Sequence, residues 1–592
     1  MIYKKREEYL CLDINYLSRD KLSDITKFIN SDICYEGKVL ILSGLRGTGN
    51  TTLMEQALLS YPAEKCAFYQ VTDKATIDDV VAELYALKKQ GINVVAFDEI
   101  TEMKDFINQS ALLPDVLAKS GMKIILAGTN SLGLLLAKED ELFNRTIQIN
   151  TTHIPFAEHC RVLGTNNMDD YIAYGGLMQK SKATAEIHDI YSAKKYLDEA
   201  VALNISHSIK NDTNKGKRDT VLKGMPEKEL QCIIEKMVEL YSGKFNEELA
   251  KEELSTVTLH YANKELKNKH YEPDDIIEYL TINRREILSD IAQQINADTE
   301  ITTPIDENVV AELEEYLMDM QVLSAVKTVQ FIQPRFADEK AECQWERYVS
   351  QYEYHIIQPA IKYYHLEKQK DFIDESPIYR KVSEQGIQFM KDFLDNKIKG
   401  DMTEQIVLFD TANALSKDDY EVCKPVFLSS DKNKKGEYDM LIWDKHQNRY
   451  WGFEVKHTSN PYLGISKKTG KYDGQDKHLI NPEITECVDY MYGHRENVCV
   501  LYNGSPFIAD GGEERPNTPY LNITDFMLAV DKYKDMDKVM EVLVNEKDLP
   551  LLKPDEKGDI TFPTDRLSCQ TTVDYPKDNL IQACNEQVEI DL

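Results

Sequence analysis

The fold of this chain is decided by the stretch Gly44-Leu45-Arg46-Gly47-Thr48-Gly49-Asn50-Thr51-Thr52. It follows the apolar run 39–42 and precedes a run of helical pattern at 53–57. Gly44, Gly49 and Thr51 match the template of a phosphate-binding loop (P-loop), G-x-x-x-x-G-K-[ST]. In such a loop the backbone N–H groups and the N-terminus of the following helix point at phosphates. We therefore predict that residues 44–52 bind a nucleotide.

Asn50 stands where the template has lysine, and this changes the expected chemistry. Losing one charge-assisted hydrogen bond to phosphate costs roughly 1.5–3 kcal/mol, which is about ten- to 150-fold in affinity. Hydrolysis should suffer more than binding, because charge develops in the transition state. Arg46 could offer a substitute charge, although its position favours an outward orientation. We expect weak ATP binding and slow or absent hydrolysis. The asparagine is either natural degeneration or an introduced change.

A pair of acidic residues follows the apolar run 94–97. Asp98 and Glu99 have the Walker B form, in which the aspartate holds Mg²⁺ and the glutamate polarises the attacking water. A helix cap is the structural alternative for two adjacent acids. A later strand leads to Asn130, which could sense the γ-phosphate. The predicted cofactors are therefore ATP and Mg²⁺, with Thr51 and Asp98 on the metal side.

Apolar runs alternate with amphipathic helical patterns through this part of the chain. The runs lie at 39–42, 67–71, 94–97 and 124–127, and a helical pattern spans 76–89. Strands that alternate with helices imply a parallel sheet covered by helices on both faces. The predicted fold class is α/β, with a doubly wound sheet of the P-loop NTPase type.

Short strands dominate the sequence pattern after residue 400. A predicted helix at 403–415 precedes strands at 425–428, 438–443, 450–456 and 498–502. Alternation places Glu454 and Lys456 on one face of their strand, and antiparallel pairing could bring Asp439 beside them. Two carboxylates can hold Mg²⁺ while the lysine orients the attacking water, with Glu404 as a fourth member. This is the D…E-x-K pattern of PD-(D/E)xK nucleases. The alternative is a hairpin in which Glu454 and Lys456 simply pair.

The charge balance limits the partners of this chain. Its 592 residues carry a formal net charge of −31, which opposes non-specific adhesion to nucleic acid or to anionic membranes. Residues 431–480 are the exception, with ten basic against seven acidic side chains. We expect nucleic acid only at this basic island. The chain shows no membrane-spanning run, no signal peptide and no zinc-like cysteine spacing, so we expect a cytoplasmic protein.

A helix-turn-helix pattern lies in the middle of the chain. One helical pattern spans 283–295 and a second spans 305–323, separated by a polar turn region. The second helix carries five acids, Asp306, Glu307, Glu312, Glu314 and Glu315, whose charge opposes DNA phosphates. A packing or partner-docking role is therefore favoured over DNA reading.

These patterns divide the chain into seven predicted segments. They are a helical lead-in at 1–29, the P-loop ATPase domain at 30–164, a helical region at 165–280, a winged-helix-like module at 281–335, a helical connector at 336–400, the nuclease-like domain at 401–530 and an acidic tail at 531–592.

Taken together, these motifs resemble prokaryotic P-loop ATPases of the AAA+ class that carry a winged helix and a C-terminal restriction-endonuclease-like domain. The resemblance covers roughly residues 20 to 530. It also rests on Ile154-Pro155-Phe156-Ala157-Glu158, similar to the family's sF-x-E segment, and on Tyr171-Ile172-Ala173-Tyr174-Gly175-Gly176, similar to its Y-x-x-x-GG segment. The resemblance implies that Arg145 reaches phosphate in this or a neighbouring subunit, with an ordinary surface arginine as the alternative. Asn50 and Gly47 depart from the family pattern.

Three functional hypotheses follow. The first is an ATP-binding switch with impaired hydrolysis that acts on the nuclease-like domain. The second is a metal-dependent nuclease gated by the ATPase domain, with Glu99, Asp439, Glu454 and Lys456 as catalytic candidates. The third is a degenerate scaffold that binds a partner. ATP or ADP is the expected ligand, and a protein partner or a homo-oligomer is compatible with all three.

Overall fold

A computed structural model of the chain shows two β-sheets with helices around them. The structure describes residues 1–9, 19–31, 37–139, 141–165, 167–179, 185–211, 221–238, 241, 307–332, 346–375, 384–428, 434–459, 494–510, 517–545, 549–553 and 555–557. No helix in these ranges has both the length and the apolar character needed to cross a bilayer.

The first sheet has six strands in the order β1-β3-β4-β5-β2-β6. Strands β2 to β6 run parallel to their neighbours, and β1 pairs antiparallel with β3 at one edge. Every residue of β2 and of β4 is buried, as expected for strands covered on both faces. The predicted parallel sheet is confirmed. The bounds are Ile2–Lys4 (β1), Val39–Ser43 (β2), Cys66–Gln70 (β3), Val94–Asp98 (β4), Lys123–Gly128 (β5) and Thr146–Asn150 (β6).

In the described part of the chain, α-helices accompany this sheet and the segment that follows it, and residues 227–238 are also helical. The predicted helix at 76–89 is confirmed, and it begins with a capping box in which Thr76 and Asp79 exchange side-chain and backbone hydrogen bonds. The helices are Arg6–Tyr9 (α1), Leu22–Asn30 (α2), Asn50–Leu59 (α3), Ile77–Lys89 (α4), Phe106–Gln109 (α5), Ser131–Glu139 (α6), Phe156–Leu163 (α7), Met168–Tyr174 (α8), Ile190–Leu197 (α9) and Leu203–Asn211 (α10). Short 3₁₀ or π turns span Ala63–Lys65, Ile100–Glu102, Leu113–Leu117, Ala118–Ser120, Asp198–Ala202 and Val221–Gly224.

The second sheet has ten strands. Nine follow the order β16-β14-β15-β13-β12-β11-β9-β7-β8, and β10 pairs with β9. Strands β9, β11 and β12 form an antiparallel meander, and β13 is parallel to β12. The bounds are Leu323–Ile332 (β7), Glu346–Ile356 (β8), Tyr420–Leu428 (β9), Lys434–Glu437 (β10), Met440–Asp444 (β11), Arg449–Lys456 (β12), His494–Tyr502 (β13), Phe507–Ala509 (β14), Thr518–Asn522 (β15) and Leu551–Leu552 (β16).

Six further α-helices pack around the second sheet and between the sheets. They are Glu307–Asp319 (α11), Pro359–Glu367 (α12), Gln369–Glu375 (α13), Glu384–Ala414 (α14), Ile523–Tyr533 (α15) and Met536–Met540 (α16), and a π turn spans Glu541–Asn545. One cluster of buried apolar side chains runs through both halves of the molecule and includes Phe97 of the first sheet and Phe453 of the second. The two sheets therefore share a hydrophobic core.

Three predicted segments differ from the structure in their helices and strands. The lead-in at 1–29 contains a strand, β1, as well as helix. The predicted connector at 336–400 contains β8, and its end falls inside the 31-residue helix α14. Gly400 lies inside this helix, where a single glycine costs only about 1 kcal/mol and packing overrides it. The predicted tail from 531 onward contains the end of α15, all of α16 and β16.

The winged-helix-like module is described only in part. The predicted helix at 283–295 lies outside the described residues, whereas the second helix appears as α11. The antiparallel hairpin β7–β8 follows α11, and β7 also pairs in parallel with β9. This hairpin therefore belongs to the second sheet rather than to a separate module.

Candidate nucleotide-binding site and acidic cluster

The carboxyl ends of the parallel strands bring the predicted P-loop residues together. Strand β2 leads into the loop, β4 ends at Asp98, and β5 ends at Gly128 just before Thr129 and Asn130. The strand that carries Asp98 is separated from β2 by β5. Because all of these strands run the same way, their last residues meet at one edge of the sheet.

Two glycines give the loop its shape. Gly47 and Gly49 have φ values of 81° and 83°, in the left-handed region that favours glycine. Gly44 also has to be small, because a Cβ there would overlap the Thr151 hydroxyl. The side chain of Leu45 is buried in the core, which leaves only its backbone for a ligand.

The metal-side pair of the site is in place. The Thr51 hydroxyl donates a 2.7 Å hydrogen bond to Asp98 Oδ2, and Thr52 lies half-buried beside it on the first turn of α3. Burial raises the pKa of the Asp98 carboxyl, an effect that the Thr51 hydrogen bond partly opposes. A divalent cation at this point would restore the charged carboxylate. A hydroxyl and a carboxylate are oxygen ligands of the kind that Mg²⁺ prefers.

Asn50 is held by other residues of the site. Its Nδ2 donates to the Gly44 carbonyl at 3.5 Å, and its Oδ1 accepts a hydrogen bond from the Thr151 hydroxyl. Thr151 follows β6 and also contacts the Thr48 hydroxyl, at 3.4 Å. The asparagine therefore contributes no charge to the loop and is tied to its inner wall. The role of Thr151 was not visible in the sequence, because 101 residues separate it from Asn50.

Glu99 and Asn130 are both held by neighbouring polar groups. Glu99 Oε2 accepts hydrogen bonds from Thr129 N at 3.1 Å and from the Thr129 hydroxyl at 2.9 Å. Asn130 Oδ1 accepts from Gly133 N and from the Ser208 hydroxyl of α10. The two candidate residues thus lie near each other at the strand ends, and α10 contacts Asn130 and the Thr129 carbonyl from the following segment.

Arg46 points away from the inner side of the loop, as its position suggested. Its guanidinium pairs with Glu186 and with Glu199, the latter at 2.9 Å, and lies over the ring of Tyr196. These two carboxylates help raise the pKa of Arg46, which burial would lower. Arg46 therefore offers no substitute charge in this arrangement.

Arg145 lies at the opposite edge of the sheet. It immediately precedes β6, whose first residue pairs with the first residue of β2, whereas the P-loop follows the last residue of β2. Its guanidinium forms a 2.8 Å ion pair with Asp115. Within this chain, Arg145 is therefore not brought to the P-loop, and a role toward a neighbouring subunit stays a prediction.

A buried arginine supports the P-loop from outside. Arg19 pairs with Glu158 at 2.6 Å and donates to the Thr48 carbonyl, and both side chains are almost fully buried. Glu158 belongs to the sF-x-E segment, but the sequence contained no sign of its partner, because the two residues are 139 positions apart.

Comparison with known proteins agrees with this geometry. Residues 36–160 match the AAA domain family. The solved structure of the S. cerevisiae Hsp104–ADP complex is similar at 12% identity and a TM-score of 0.22, over 70% of this chain and 58% of that chain. This chain thus spans less than two thirds of that protein, and so weak a likeness does not bear on function. No protein of curated function matches the chain significantly.

The second sheet brings the other four candidate residues together. Asp439 precedes β11, and its Oδ2 accepts a 2.7 Å hydrogen bond from Val455 N of β12. Glu454 is buried and accepts a hydrogen bond from Lys456 two residues along the strand. Glu404 of α14 is half-buried, and its carboxyl interacts electrostatically with Asp439 and Lys456. We call these four residues the acidic cluster.

The acidic cluster places three carboxyl groups beside one lysine. Burial and the neighbouring Glu454 raise the pKa of Asp439 to about 7. Burial and Asp439 raise the pKa of Glu404 well above its usual value. In the described residues, no group of three or more His, Cys, Asp or Glu side chains has ligand atoms close enough to hold a metal. Mg²⁺ commonly uses only one or two carboxylates and completes its shell with water and substrate oxygens.

Polar contacts join helix α14, which carries Glu404, to the end of the AAA domain and to helix α8 after it. Asp410 accepts a 2.8 Å hydrogen bond from Phe156 N and contacts His153 Nε2 at 2.7 Å. Asp169 of α8 forms a 2.9 Å ion pair with Lys399.

Of the basic island at 431–480, residues 431–433 and 460–480 lie outside the described part of the chain.

Proposed function

We propose that this chain binds ATP·Mg²⁺ weakly through its AAA domain, with slow or absent hydrolysis, and uses nucleotide occupancy as a switch. The observation that carries this proposal has two parts. Thr51 and Asp98, the residues expected to bind the metal, contact each other, and the position of the P-loop lysine holds the uncharged Asn50. The Thr51–Asp98 hydrogen bond supports metal and phosphate binding, while Asn50 bonds within the site and brings no charge.

Each residue of the site has a proposed role. The backbone of the loop would cradle the phosphates, Thr51 and Asp98 would bind the metal side, and Glu99 would orient the attacking water. Glu99 is bonded to Thr129, so water activation would require it to leave that partner. This arrangement favours a binding protein over a fast hydrolase.

Isothermal titration of the full chain with ATP in the presence of Mg²⁺ tests the proposal. We expect saturable heat, with a dissociation constant for ATP higher than that of a P-loop that has the lysine. Thr51→Val is the matched control, because it removes the hydroxyl that contacts Asp98 and keeps the size of the side chain. Absence of heat at millimolar ATP, or unchanged binding by the variant, would refute this proposal.

A metal-dependent nuclease is the second candidate function, and the acidic cluster favours it. A helix followed by an antiparallel meander and a parallel strand, as in α14, β9, β11, β12 and β13, is also the order expected for a PD-(D/E)xK domain. Asp439 and Glu454 would hold Mg²⁺ or Mn²⁺, Lys456 would orient water, and Glu404 would assist from the helix.

Incubation with plasmid and single-stranded substrates in the presence of Mn²⁺ tests the second candidate. Cleavage by the wild-type chain that disappears in Asp439→Ala would support it, and equal products from both proteins would exclude it. If neither ATP binding nor cleavage is found, a partner-binding scaffold becomes the leading hypothesis. The buried face of acidic α11, with Leu313 and Leu317 in the core, suits packing better than DNA reading.

A further inference from the structure

We propose that helix α8 conveys nucleotide occupancy from the P-loop to the acidic cluster, and that Asp169 is the positioning residue at the receiving end. The proposal rests on the proposed nucleotide binding. It concerns how that binding would reach the second sheet.

One end of this route touches the P-loop directly. Helix α8 ends at Tyr174 and is followed by two glycines and the segment 177–178. Met178 N donates a 2.9 Å hydrogen bond to the Gly47 carbonyl, and Leu177 packs close to Gly47. Because Gly47 lies within the loop that would wrap the phosphates, a change in its peptide on binding would act on residues 177–178.

The other end of α8 touches two elements of the acidic cluster. Asp169 Oδ1 contacts Lys399 Nζ of α14 at 2.9 Å and His457 Nε2 at 3.4 Å. His457 directly follows Lys456 at the end of β12, and its side chain is 8% exposed. One carboxylate therefore holds the helix that carries Glu404 and the strand that carries Lys456.

Thr403 links His457 to helix α14. The Thr403 hydroxyl lies 3.0 Å from His457 Nδ1 and donates a 2.6 Å hydrogen bond to the Lys399 carbonyl. Thr403 is adjacent to Glu404, just as His457 is adjacent to Lys456. Asp169 thus contacts the neighbour of Lys456 directly and the neighbour of Glu404 through His457, so a shift of α8 would change the separation of these two members of the acidic cluster.

Different faces of α14 carry Glu404 and the residues that connect the helix to α8 and the AAA domain. Lys399, Thr403 and Asp410 are four and seven residues apart, which places them on one face of the helix. Asp410 contacts the AAA domain, and Lys399 contacts Asp169 of α8. Thr403 contacts His457, which is itself bound to Asp169. Glu404 is rotated by about 100° from Thr403. The helix therefore receives contacts from α8 on one face and presents Glu404 toward Asp439 on the next.

The electrostatics agree with a strong contact. His457 and Lys399 hold the pKa of Asp169 well below its usual value, although burial alone would raise it. Asp169 is therefore charged at neutral pH, and its loss would leave Lys399 and His457 without this partner.

Hydrogen–deuterium exchange of the full chain, followed by mass spectrometry with and without saturating ATP·Mg²⁺, tests the proposal. In the wild-type chain, we expect ATP to slow exchange in peptides covering 44–52 and to change exchange in peptides covering 399–404 and 454–457. In Asp169→Asn, we expect the P-loop response to remain and the response of the two distant peptides to be lost. Asp170→Asn is the matched control and should respond as the wild type does.

The outcomes separate this proposal from the proposed function. If the distant peptides respond equally in Asp169→Asn and in the wild type, α8 is not the route. A P-loop response without any distant response in the wild type also overturns the proposal and leaves nucleotide binding intact. If the P-loop peptides do not respond, nucleotide binding fails and the route fails with it. His457→Gln tests the same contact from the second sheet and gives the answer if Asp169→Asn does not fold.

Discussion

Asn50 occupies the position from which a lysine would reach the phosphates, and its amide bonds instead to the Gly44 carbonyl and to Thr151. The Asn50 side chain therefore has both of its polar atoms bonded within the site. A ligand would have to compete with these bonds and would gain no formal charge in return. At the scale of single residues, this arrangement supports the proposal of weak ATP binding.

Asn50→Lys is expected to strengthen ATP binding. The added ammonium group would donate charge-assisted hydrogen bonds worth roughly 1.5–3 kcal/mol, which corresponds to about ten- to 150-fold in affinity. Isothermal titration gives the ratio of dissociation constants. Thr151→Val is the control, because it frees the Asn50 carbonyl without adding charge and should not reproduce the gain. Turnover in Asn50→Lys would identify this position as the main block to hydrolysis, whereas unchanged affinity would contradict the prediction.

Asp439 makes the stability of the chain depend on pH. Burial and Glu454 raise its pKa to about 7 in the folded state, against an ordinary value of about 4. Between these values the folded chain holds a proton that the unfolded chain has released, so this residue's contribution to stability falls as pH rises.

Asp439→Asn cannot ionise, and its stability relative to the wild type should therefore increase as pH rises from about 4 to about 7 and then level off. Thermal unfolding midpoints across this range, measured with a chelator present, give the difference. Asp418→Asn, at an exposed turn position, is the control and should show no such trend. A constant difference between Asp439→Asn and the wild type would contradict the prediction.

The turn that follows helix α8 is tightly constrained. Gly176 has a φ of 85°, and a Cβ at this residue would collide with the side chain of Gln358. The glycine pair thus lets the chain turn from α8 toward the P-loop while α12 packs closely against it. In α14, by contrast, a Cβ on Gly400 would meet nothing within 4 Å.

The same substitution should therefore have opposite effects at these two glycines. Gly176→Ala forces an L-residue into the left-handed region and against Gln358, which we expect to cost about 1–3 kcal/mol of unfolding free energy. Gly400→Ala removes backbone freedom from the unfolded chain and should stabilise α14 by about 0.5–1 kcal/mol. Urea denaturation followed by circular dichroism measures both. Equal effects of the two substitutions would refute this account of the turn.

The whole molecule is organised around a core that both sheets share. Phe97 of β4 and Trp451 of β12 belong to the same cluster of buried side chains. Polar contacts at Asp169 and Asp410 tie α14 to the first half of the chain. The two halves are therefore expected to unfold together rather than as independent domains.

A cavity in the AAA domain should lower the stability of the second sheet as well. All three tryptophans, Trp345, Trp443 and Trp451, lie outside residues 36–160, so their fluorescence reports on the other half. Phe97→Ala is expected to cost about 3–5 kcal/mol. It should shift the fluorescence and circular dichroism transitions to the same lower midpoint. Leu112→Ala, at an exposed position of the AAA domain, is the control. An unshifted fluorescence transition would show that the halves unfold separately.

Local patterns predicted the elements of the nucleotide site well. The apolar runs at 39–42 and 94–97 became β2 and β4, and the loop that follows β2 lies beside Asp98. Such patterns depend on residues close in sequence, whose spacing is set by the strand and helix repeat. The helix start predicted at 403 was wrong because packing overrides Gly400, and the purely helical connector predicted at 336–400 was wrong because β8 pairs with β7.

The sequence by itself determined the parallel sheet, the P-loop, the Asp98–Glu99 pair and the absence of a lysine at Asn50. Only the tertiary structure decided that Thr151 would bond to Asn50, that Arg19 would pair with Glu158, and that Asp169 would meet Lys399 and His457. The first set follows from covalent order and local periodicity. The second joins residues more than 100 positions apart, and their contacts exist only because packing within the first sheet, and between α8, α14 and the second sheet, brings their side chains together.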